Sequence, residues 1–156
     1  MSETQQPVFS IEKIYVKDLS LEVPGGPQVF MQQEQPQVEI RIEQRSQRAG
    51  DALFEVILVV TVSAKQGDKT FFLVEATQAG VFQIRNIPDA DLAAVLGVVC
   101  PNVLFPYARE TVSDVIVRAG FPPVLLAPVN FEAAYQQRLA ETAVKQPDGP
   151  RIEIAH

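Results

Sequence analysis

The stretch from Cys100 to Pro128 contains the one long segment of clear helical periodicity in this sequence. Apolar residues recur there at three- and four-residue spacing, while charged and polar residues fill the positions between them. This pattern is typical of an amphipathic helix and predicts one from Asn102 to Ala119. One face of that helix must be buried against another element. The apolar face consists of Leu104, Ala108, Val112, Val115 and Ala119.

Both ends of this helix carry sequence signals. Asn102 is the predicted N-cap, and Pro106 is placed in or near the first turn, where a missing N–H costs no hydrogen bond. Gly120, followed by Pro122 and Pro123, predicts the C-terminal end. Proline-marked loops are therefore expected on both sides of the helix.

The first predicted strand runs from Phe9 to Val23, and its pattern is irregular. Its apolar residues alternate, but the phase changes after Ile11 and again after Val16. Each phase change predicts a β-bulge, because one extra residue returns the next apolar side chain to the same face. The segment Pro24–Pro27 ends the strand.

Three further strands are expected before the helices. Val38–Ile42 alternates strictly between apolar and charged residues, Leu53–Ala64 is apolar on both faces, and Phe71–Thr77 returns after a short turn. Residues Arg45–Ala52 are predicted to be a loop. Short turns between consecutive strands require antiparallel pairing, so the first half predicts a four-stranded antiparallel sheet.

The second half is predicted to be helical. Gly80 interrupts the fourth strand, and Val81–Ile84 either continues it or forms a bent extension. A short, nearly all-apolar helix is expected within Asn86–Val99 and should be buried on most sides. After a stiff apolar loop at Phe121–Val129, Asn130 is predicted to cap a last helix. The fold class is therefore α+β, a four-stranded antiparallel sheet followed by a short helix, a long amphipathic helix and a C-terminal helix.

The 156 residues fit one domain. Residues 1–8 and 146–156 are polar and contain prolines, so both are predicted to be tails that flank a folded domain at residues 9–145. The N-terminus lacks the basic and apolar regions of a secretion signal, and the chain has no apolar run long enough for a membrane span. We therefore expect a soluble, cytoplasmic protein.

The sequence offers little for catalysis. Cys100 is the only cysteine and His156 the only histidine, so no disulfide and no Cys/His metal cage can form within one chain. Cys100 is interpreted as a small buried apolar residue. The chain has no glycine-rich phosphate loop and no nucleophile elbow, and most carboxylates occupy solvent-facing positions of the predicted elements. No enzymatic activity, cofactor or metal is therefore expected.

The charge of the chain bears on its partners. A formal net charge of −6 argues against nucleic acid and anionic membranes. It favours a basic partner, or serves solubility.

Apolar side chains exceed what one subunit needs. The third and fourth strands carry large apolar residues on both faces, although helices on one side would leave the other face in solvent. Burial between copies of the chain and a groove for apolar peptide segments both explain this surplus, and composition alone favours the first. The residues are Ile57 and Val59 opposite Phe54, Val56 and Leu58, and Phe71 and Leu73 opposite Phe72 and Val74.

Three segments of the chain carry a resemblance to a known family. They are IYVKDLSLEVP in the first strand, TVSA followed by FFLVEATQAGVF in the third and fourth, and LGVVCPNVLFPYARETVSDVIVRAGFPPVLLAPVNFEAAY in the helical half. Over nearly its whole length the chain resembles the bacterial protein-export chaperone family SecB. The resemblance implies an ATP-independent chaperone that binds unfolded precursor proteins and delivers them to the SecA motor. It also implies a homotetramer, a dimer of dimers, with the long helix packed between dimers.

The resemblance further implies three sets of site residues. The SecA-binding patch would consist of Asp18, Glu22, Leu73 and Glu75. The client-binding groove would consist of Val38, Ile40, Phe72, Val74, Phe131 and Tyr135. The oligomer interface would consist of Asn102, Tyr107, Val112 and Ile116. Within the patch, Asp18 and Glu22 share a side-chain parity, as do Leu73 and Glu75, so each pair can face one way.

Two positions depart from the family pattern. A known member carries a tryptophan where this chain has Glu34, and leucine is common where it has Ala134, so a differently shaped groove is expected. The partners expected from the resemblance are SecA, unfolded secretory precursors and further copies of this chain. Two other functions stay open: a SecB-like chaperone dedicated to another client, such as a toxin–antitoxin pair, and a protein that binds small hydrophobic ligands.

Overall fold

The computed structural model describes residues 5–145. The predicted tail at 146–156 lies outside these residues, as do the first four residues of the N-terminal one. The elements are β1 (Val8–Glu22), a 3-10 turn (Gln28–Met31), β2 (Gln37–Gly50), β3 (Leu53–Gln66), β4 (Lys69–Arg85), α1 (Asp89–Ala94), a π-helical turn (Val95–Val99), α2 (Cys100–Arg118) and α3 (Phe131–Lys145).

The four strands form one antiparallel sheet in the order β1-β4-β3-β2. Strands β2, β3 and β4 follow one another as hairpins, whereas β1 pairs with the far side of β4, so β1 and β2 are the two edges. The most apolar strands are the central ones, which have neighbours on both sides. The predicted four-stranded antiparallel sheet is confirmed.

Both predicted bulges are present in β1. The pairing of β1 with β4 shifts between Ile11 and Lys13 and again between Val16 and Asp18. Each shift leaves one extra residue, Glu12 in the first case and Lys17 in the second. The extra residue lets the following part of the strand return its apolar side chains to the original face, as the phase changes in the sequence predicted.

Two strand predictions are wrong. Residues Arg45–Ala52 do not form a loop, because β2 continues to Gly50 and its polar residues pair with β3 along the edge of the sheet. Gly80 does not interrupt β4, and of the two alternatives for Val81–Ile84 the continuation is the one observed, since the strand runs on to Arg85. A Cβ atom on Gly80 would lie 2.9 Å from Leu104 Cδ2, so the glycine leaves space for α2 to approach the sheet.

Helix α2 covers the middle of one sheet face. It packs against β3 and β4, and the predicted apolar face is the buried one, with Leu104, Ala108 and Val112 each 0 % exposed. Cys100 is also buried, and burial raises the pKa of its thiol to about 12, so the thiol stays protonated at neutral pH. The interpretation of Cys100 as a buried apolar residue is confirmed.

The predicted break before α2 does not occur. The helical segment is continuous over Asp89–Arg118, so Asn102 lies inside it and is not an N-cap, and Pro106 is an internal proline rather than a first-turn one. The predicted burial of the short first helix is also wrong, since α1 has no buried residue and Val99 is 42 % exposed. By length and composition this helix could cross a membrane, but its α2 part packs on β3 and β4.

The π-helical turn explains how a proline is accommodated here. Pro101 has no N–H to donate to the carbonyl of Gly97, four residues earlier. Gln44 on β2 donates its Nε2 to that carbonyl instead, at 3.3 Å. The wider turn and the side-chain donor together replace the missing helical hydrogen bond, which is why the proline does not end the helix.

The end of α2 and the start of α3 follow the prediction. Gly120 has a φ of +95°, and the Phe121 N–H donates to the carbonyl of Ile116 at 3.2 Å, which satisfies one of the last free carbonyls of the helix. Asn130 Oδ1 accepts the Ala133 N–H at 2.9 Å. Asn130 therefore caps α3 as predicted.

The loop after α2 is anchored by Phe121. Its ring centroid lies 4.9 Å from that of Phe72, 5.1 Å from that of Phe30 and 6.4 Å from that of Phe71. A register shift between β3 and β4 makes Phe71 an extra residue of β4. The prediction that Phe71 opposes Phe72 is therefore wrong, because both rings pack against Phe121.

Candidate functional site

The two faces of the sheet differ in what covers them. Thr111 of α2 donates its hydroxyl to Gln78 Oε1 at 3.1 Å, and Leu104 approaches Gly80, so α2 lies over the even-numbered residues of β4. We call this the helix-covered face. The odd-numbered residues of β4 point to the other side, where no helix of residues 5–145 packs, and we call that side the open face.

The structure brings the four predicted SecA-binding residues together on the open face. Glu22 pairs directly with Leu73, and two residues along, Ser20 pairs with Glu75. Asp18 pairs with Thr77 in the next row and directly follows Lys17, the extra residue of the second bulge. The three carboxylates are exposed and Leu73 is half-buried. We call Asp18, Glu22, Leu73 and Glu75 the acidic surface.

Beside the acidic surface lies a buried carboxylate that sequence analysis did not single out. Glu55 on β3 is only 6 % exposed. It accepts hydrogen bonds from the Tyr15 hydroxyl, from Gln47 Nε2 at 2.8 Å and from Lys17 Nζ, which lies 3.0 Å from both carboxylate oxygens. We call these four residues the Glu55 cluster. It ties β1, β2 and β3 together across the open face.

Hydrogen bonding sets the protonation of the Glu55 cluster. The Tyr15 hydroxyl, helped by Lys17 and Gln47, holds the pKa of the Glu55 carboxyl below its usual value, against the opposing effect of burial. The same contact raises the pKa of Tyr15 to about 12. At neutral pH Glu55 is therefore an ion and Tyr15 a neutral donor. The signal for this cluster in the sequence was one carboxylate within an otherwise apolar central strand.

Glu55→Gln is expected to lower the free energy of unfolding at pH 7 by about 1–3 kcal/mol, because a hydrogen-bonded buried charge is lost. The pKa of Glu55 is lower in the folded protein than in the unfolded chain, so its contribution is present above the unfolded value and is lost as pH falls through the folded value. The difference between wild type and variant should therefore shrink below about pH 4, the usual glutamate range. Urea denaturation of both proteins between about pH 3 and pH 8 measures this difference in the free energy of unfolding. A difference that is constant with pH would contradict this role of the charge.

The predicted apolar surplus on the open face is smaller than expected. Ile57 is 6 % exposed and Ala79 is 0 % exposed, although no described helix covers them. Tyr15, Ala79 and Ile57 form one cross-strand row, and the Tyr15 side chain must pass over β4 to reach Glu55. The long side chains of the Glu55 cluster thus cover this part of the face, and the prediction that it needs a partner is wrong for Ile57.

The sheet part of the predicted client groove forms two adjacent rows on the helix-covered face. One row is Val38–Ala64–Phe72, and the next is Ile40–Val62–Val74. Val38 and Ile40 on the edge strand are each 44 % exposed. Phe72 and Val74, two strands further in, are 3 % and 0 % exposed within the protomer, so their role as groove-lining residues stays a prediction. We call Val38 and Ile40 the β2 flank.

The helical part of the predicted groove is less accessible than expected. Phe131 is 3 % exposed and its ring packs edge-on to that of Phe105 at 6.0 Å, so it lies in the core of the protomer and its place in a groove stays a prediction. Tyr135 is half-buried against the π-helical turn, where a Cβ on Gly97 would lie 3.1 Å from Tyr135 Cδ2. The family departure at Glu34 is exposed and accepts a hydrogen bond from Gln66, and Ala134 is half-buried.

A second apolar surface lies along the opposite edge, on β1. Its residues pair with even-numbered residues of β4 and therefore share the helix-covered face. Five large side chains there remain more than a third exposed. They are Phe9 at 39 %, Ile11 at 48 %, Val16 at 44 %, Leu19 at 43 % and Leu21 at 37 %. We call them the β1 row.

The residues predicted for the oligomer interface divide into two pairs. Asn102 and Tyr107 are exposed, Tyr107 by 50 %. Val112 and Ile116 are both 0 % exposed, because they lie on the face of α2 that packs within the protomer. Their assignment to a subunit contact stays a prediction, and in the protomer the exposed residues of this set are Asn102 and Tyr107.

Apolar edges on one face of a sheet and a group of carboxylates on the other define a class of protein, a module that binds other polypeptides. Comparison with known proteins gives the family. Residues 2–142 match the family described as preprotein translocase subunit SecB. The chain therefore belongs to the SecB family, which is a family of protein-export chaperones.

Individual relatives agree with this assignment. The chain is 63 % identical over 145 residues to the protein-export protein SecB of Chromobacterium violaceum, which covers 92 % of this chain and 97 % of that protein. It is 58 % identical over 139 residues to that of Neisseria meningitidis serogroup C, with 88 % and 95 % covered. The resemblance identified in the sequence is confirmed.

One solved structure supports the fold. The SecB-like chaperone of Mycobacterium tuberculosis, in complex with a ChAD peptide from the HigA1 antitoxin, aligns with a TM-score of 0.63 at 19 % identity, over 78 % of this chain and 90 % of that one. The α+β architecture expected from the sequence is thus shared with a SecB-like chaperone.

Proposed function

We propose that this protein is a cytoplasmic, ATP-independent holding chaperone that binds unfolded secretory precursors and delivers them to SecA. Membership of the SecB family supports the role in export. The observation that carries the proposal is the separation of the two kinds of surface. The β2 flank and the β1 row lie on the helix-covered face, and the acidic surface lies on the open face. A client and a basic partner therefore have separate places to bind.

Client binding is assigned to the β2 flank. An unfolded precursor offers extended apolar segments and unpaired backbone groups. β2 is an edge strand, so its outer backbone groups can pair with such a segment, while Val38 and Ile40 bury apolar side chains of the client. Because buried apolar area supplies the affinity, binding would depend little on the client sequence.

Self-association is assigned to the β1 row and the outer face of α2. Five neighbouring apolar side chains along one edge form the kind of continuous exposed surface that marks a contact between subunits. Exposed Asn102 and Tyr107 on α2 are available for a second contact, as a dimer of dimers requires. A homotetramer would present several β2 flanks to one client and so add avidity.

The acidic surface is assigned to SecA. Three exposed carboxylates around the half-buried Leu73 fit a partner segment that combines basic and apolar residues. Charge reversal with Asp18→Lys and Glu75→Lys should weaken SecA binding at least about tenfold, since two attractive contacts become repulsive. Titration of purified SecA by calorimetry measures the change.

The same variant tests the whole proposal when an unfolded precursor is present. Wild-type protein should delay the refolding of the precursor and be recovered with both precursor and SecA. The doubly reversed variant should still delay refolding but should no longer be recovered with SecA. If SecA binding is unchanged, the assignment of the acidic surface is wrong. If wild-type protein binds a small hydrophobic ligand and leaves precursor refolding unaffected, the chaperone function itself is wrong.

A further inference from the structure

Lys17 and Asp18 are consecutive residues whose side chains both lie on the open face. In a regular strand, neighbouring side chains point to opposite faces. Here Lys17 is the extra residue of a bulge: its Nζ reaches Glu55, and Asp18 pairs with Thr77 on the same face. The bulge therefore places a cation directly beside a carboxylate of the acidic surface.

Glu55 provides a fixed position for that cation. Its side chain is 8 % exposed, whereas that of Lys17 is 45 % exposed, so the carboxylate is the buried and immobile partner of the pair. Tyr15 and Gln47 hold the carboxylate from two other strands. Both Glu55 oxygens lie 3.0 Å from the Lys17 ammonium. The ammonium is thus drawn toward β3, across β4 from its own strand.

We propose that Glu55 is a positioning residue for partner binding: by holding the Lys17 ammonium over β3, it keeps that cation from neutralising Asp18 and leaves the acidic surface free for cationic groups of the partner. This inference rests on the assignment of the acidic surface to SecA. Without Glu55, the flexible lysine side chain would be free to pair with the carboxylate of the next residue. The partner would then meet a less negative surface and a competing cation.

The test compares SecA affinity among Glu55→Gln, Lys17→Met and the double variant, by calorimetric titration with purified SecA. Glu55→Gln should bind SecA about three- to tenfold more weakly, the effect of one free charge near the contact. Adding Lys17→Met should restore affinity, because the freed cation is removed. The loss in Glu55→Gln should also shrink as salt is raised, which a purely structural defect would not do. Glu141→Gln, which changes an exposed carboxylate on α3 and so lies away from the open face, is the matched control for the change in net charge and should bind as wild type does.

Several outcomes would overturn the inference. If Glu55→Gln binds SecA as tightly as wild type, or if the double variant stays as weak as Glu55→Gln, then Glu55 does not act through Lys17. Lys17→Met gives a reading that does not depend on the folding of Glu55→Gln: its affinity should equal or exceed that of wild type, and a weaker affinity would contradict the proposal. A failure of the acidic surface itself is recognised separately, because Asp18→Lys with Glu75→Lys would then leave SecA binding unchanged.

Discussion

Replacing Ile40 by aspartate is expected to weaken the binding of an unfolded precursor at least about tenfold, because burying an isoleucine side chain is worth about 1.5–3 kcal/mol and a new carboxylate adds a desolvation cost. Ile40 is 44 % exposed at the edge of a cross-strand row whose inner members, Val62 and Val74, are buried. A client segment lying along β2 would have to cover it. The change is measured as the concentration of chaperone that halves the refolding rate of a reduced precursor.

The matched control is Val16→Asp on the other edge of the sheet. Val16 is also 44 % exposed and faces the same side, but it belongs to the β1 row. It should shift the oligomer toward smaller species in sedimentation at micromolar concentration, whereas Ile40→Asp should leave the sedimentation unchanged. If Val16→Asp leaves the oligomer intact and weakens precursor binding as much as Ile40→Asp, the β1 row binds the client and its assignment to self-association is wrong.

Local rules predicted the features of this fold that depend on a few neighbouring residues. The phase changes in β1 located both bulges, because a buried face tolerates no slip of one residue. Gly120 and Asn130 marked a helix end and a helix start, since left-handed backbone and side-chain capping depend on single residue types. The apolar spacing in α2 identified its buried face, because residues three and four positions apart lie on the same side of a helix.

The features that sequence analysis missed depend on contacts between distant parts of the chain. Pro101 was expected to lie in a loop before the helix, but Gln44, on another element, supplies the donor that the proline lacks. Glu55 was treated as part of an apolar strand, and its role emerges only because Tyr15 and Lys17 reach it from β1. Partners of this kind cannot be inferred from the spacing of residues within one element.

The same limit applies to the predicted site. Register placed the acidic surface together, since no bulge interrupts the pairing of Asp18–Glu22 with Leu73–Thr77 and alternate side chains there share a face. Parity could not tell which groove residues are accessible, because that depends on where α2 and the Phe121 loop lie. Val38 and Ile40 remain exposed at the edge, whereas Phe72, Val74 and Phe131 are covered. The accessible groove is therefore narrower than the residue set implied by the family resemblance.

Leu104→Ala should have the largest effect on stability, a loss of about 2–5 kcal/mol in the free energy of unfolding. Leu104 is 0 % exposed and its Cδ2 fills the space above Gly80, so its removal leaves a cavity between α2 and β4 at the centre of the fold. Gly80→Ala should be destabilising for the opposite reason, by about 1–3 kcal/mol, because the new Cβ would lie 2.9 Å from both Leu104 Cδ2 and the Phe82 ring.

Combining the two substitutions tests whether they share this space. The added methyl group of Gly80→Ala would occupy part of the cavity left by Leu104→Ala, so the double variant should be less destabilised than the sum of the single variants, by about 1 kcal/mol. Part of the strain should remain, since the Phe82 ring is still close. Urea denaturation at one protomer concentration measures all four proteins on the same footing, because subunit association also contributes to the stability of each. Strictly additive losses would show that α2 does not depend on Gly80 for its close approach to the sheet.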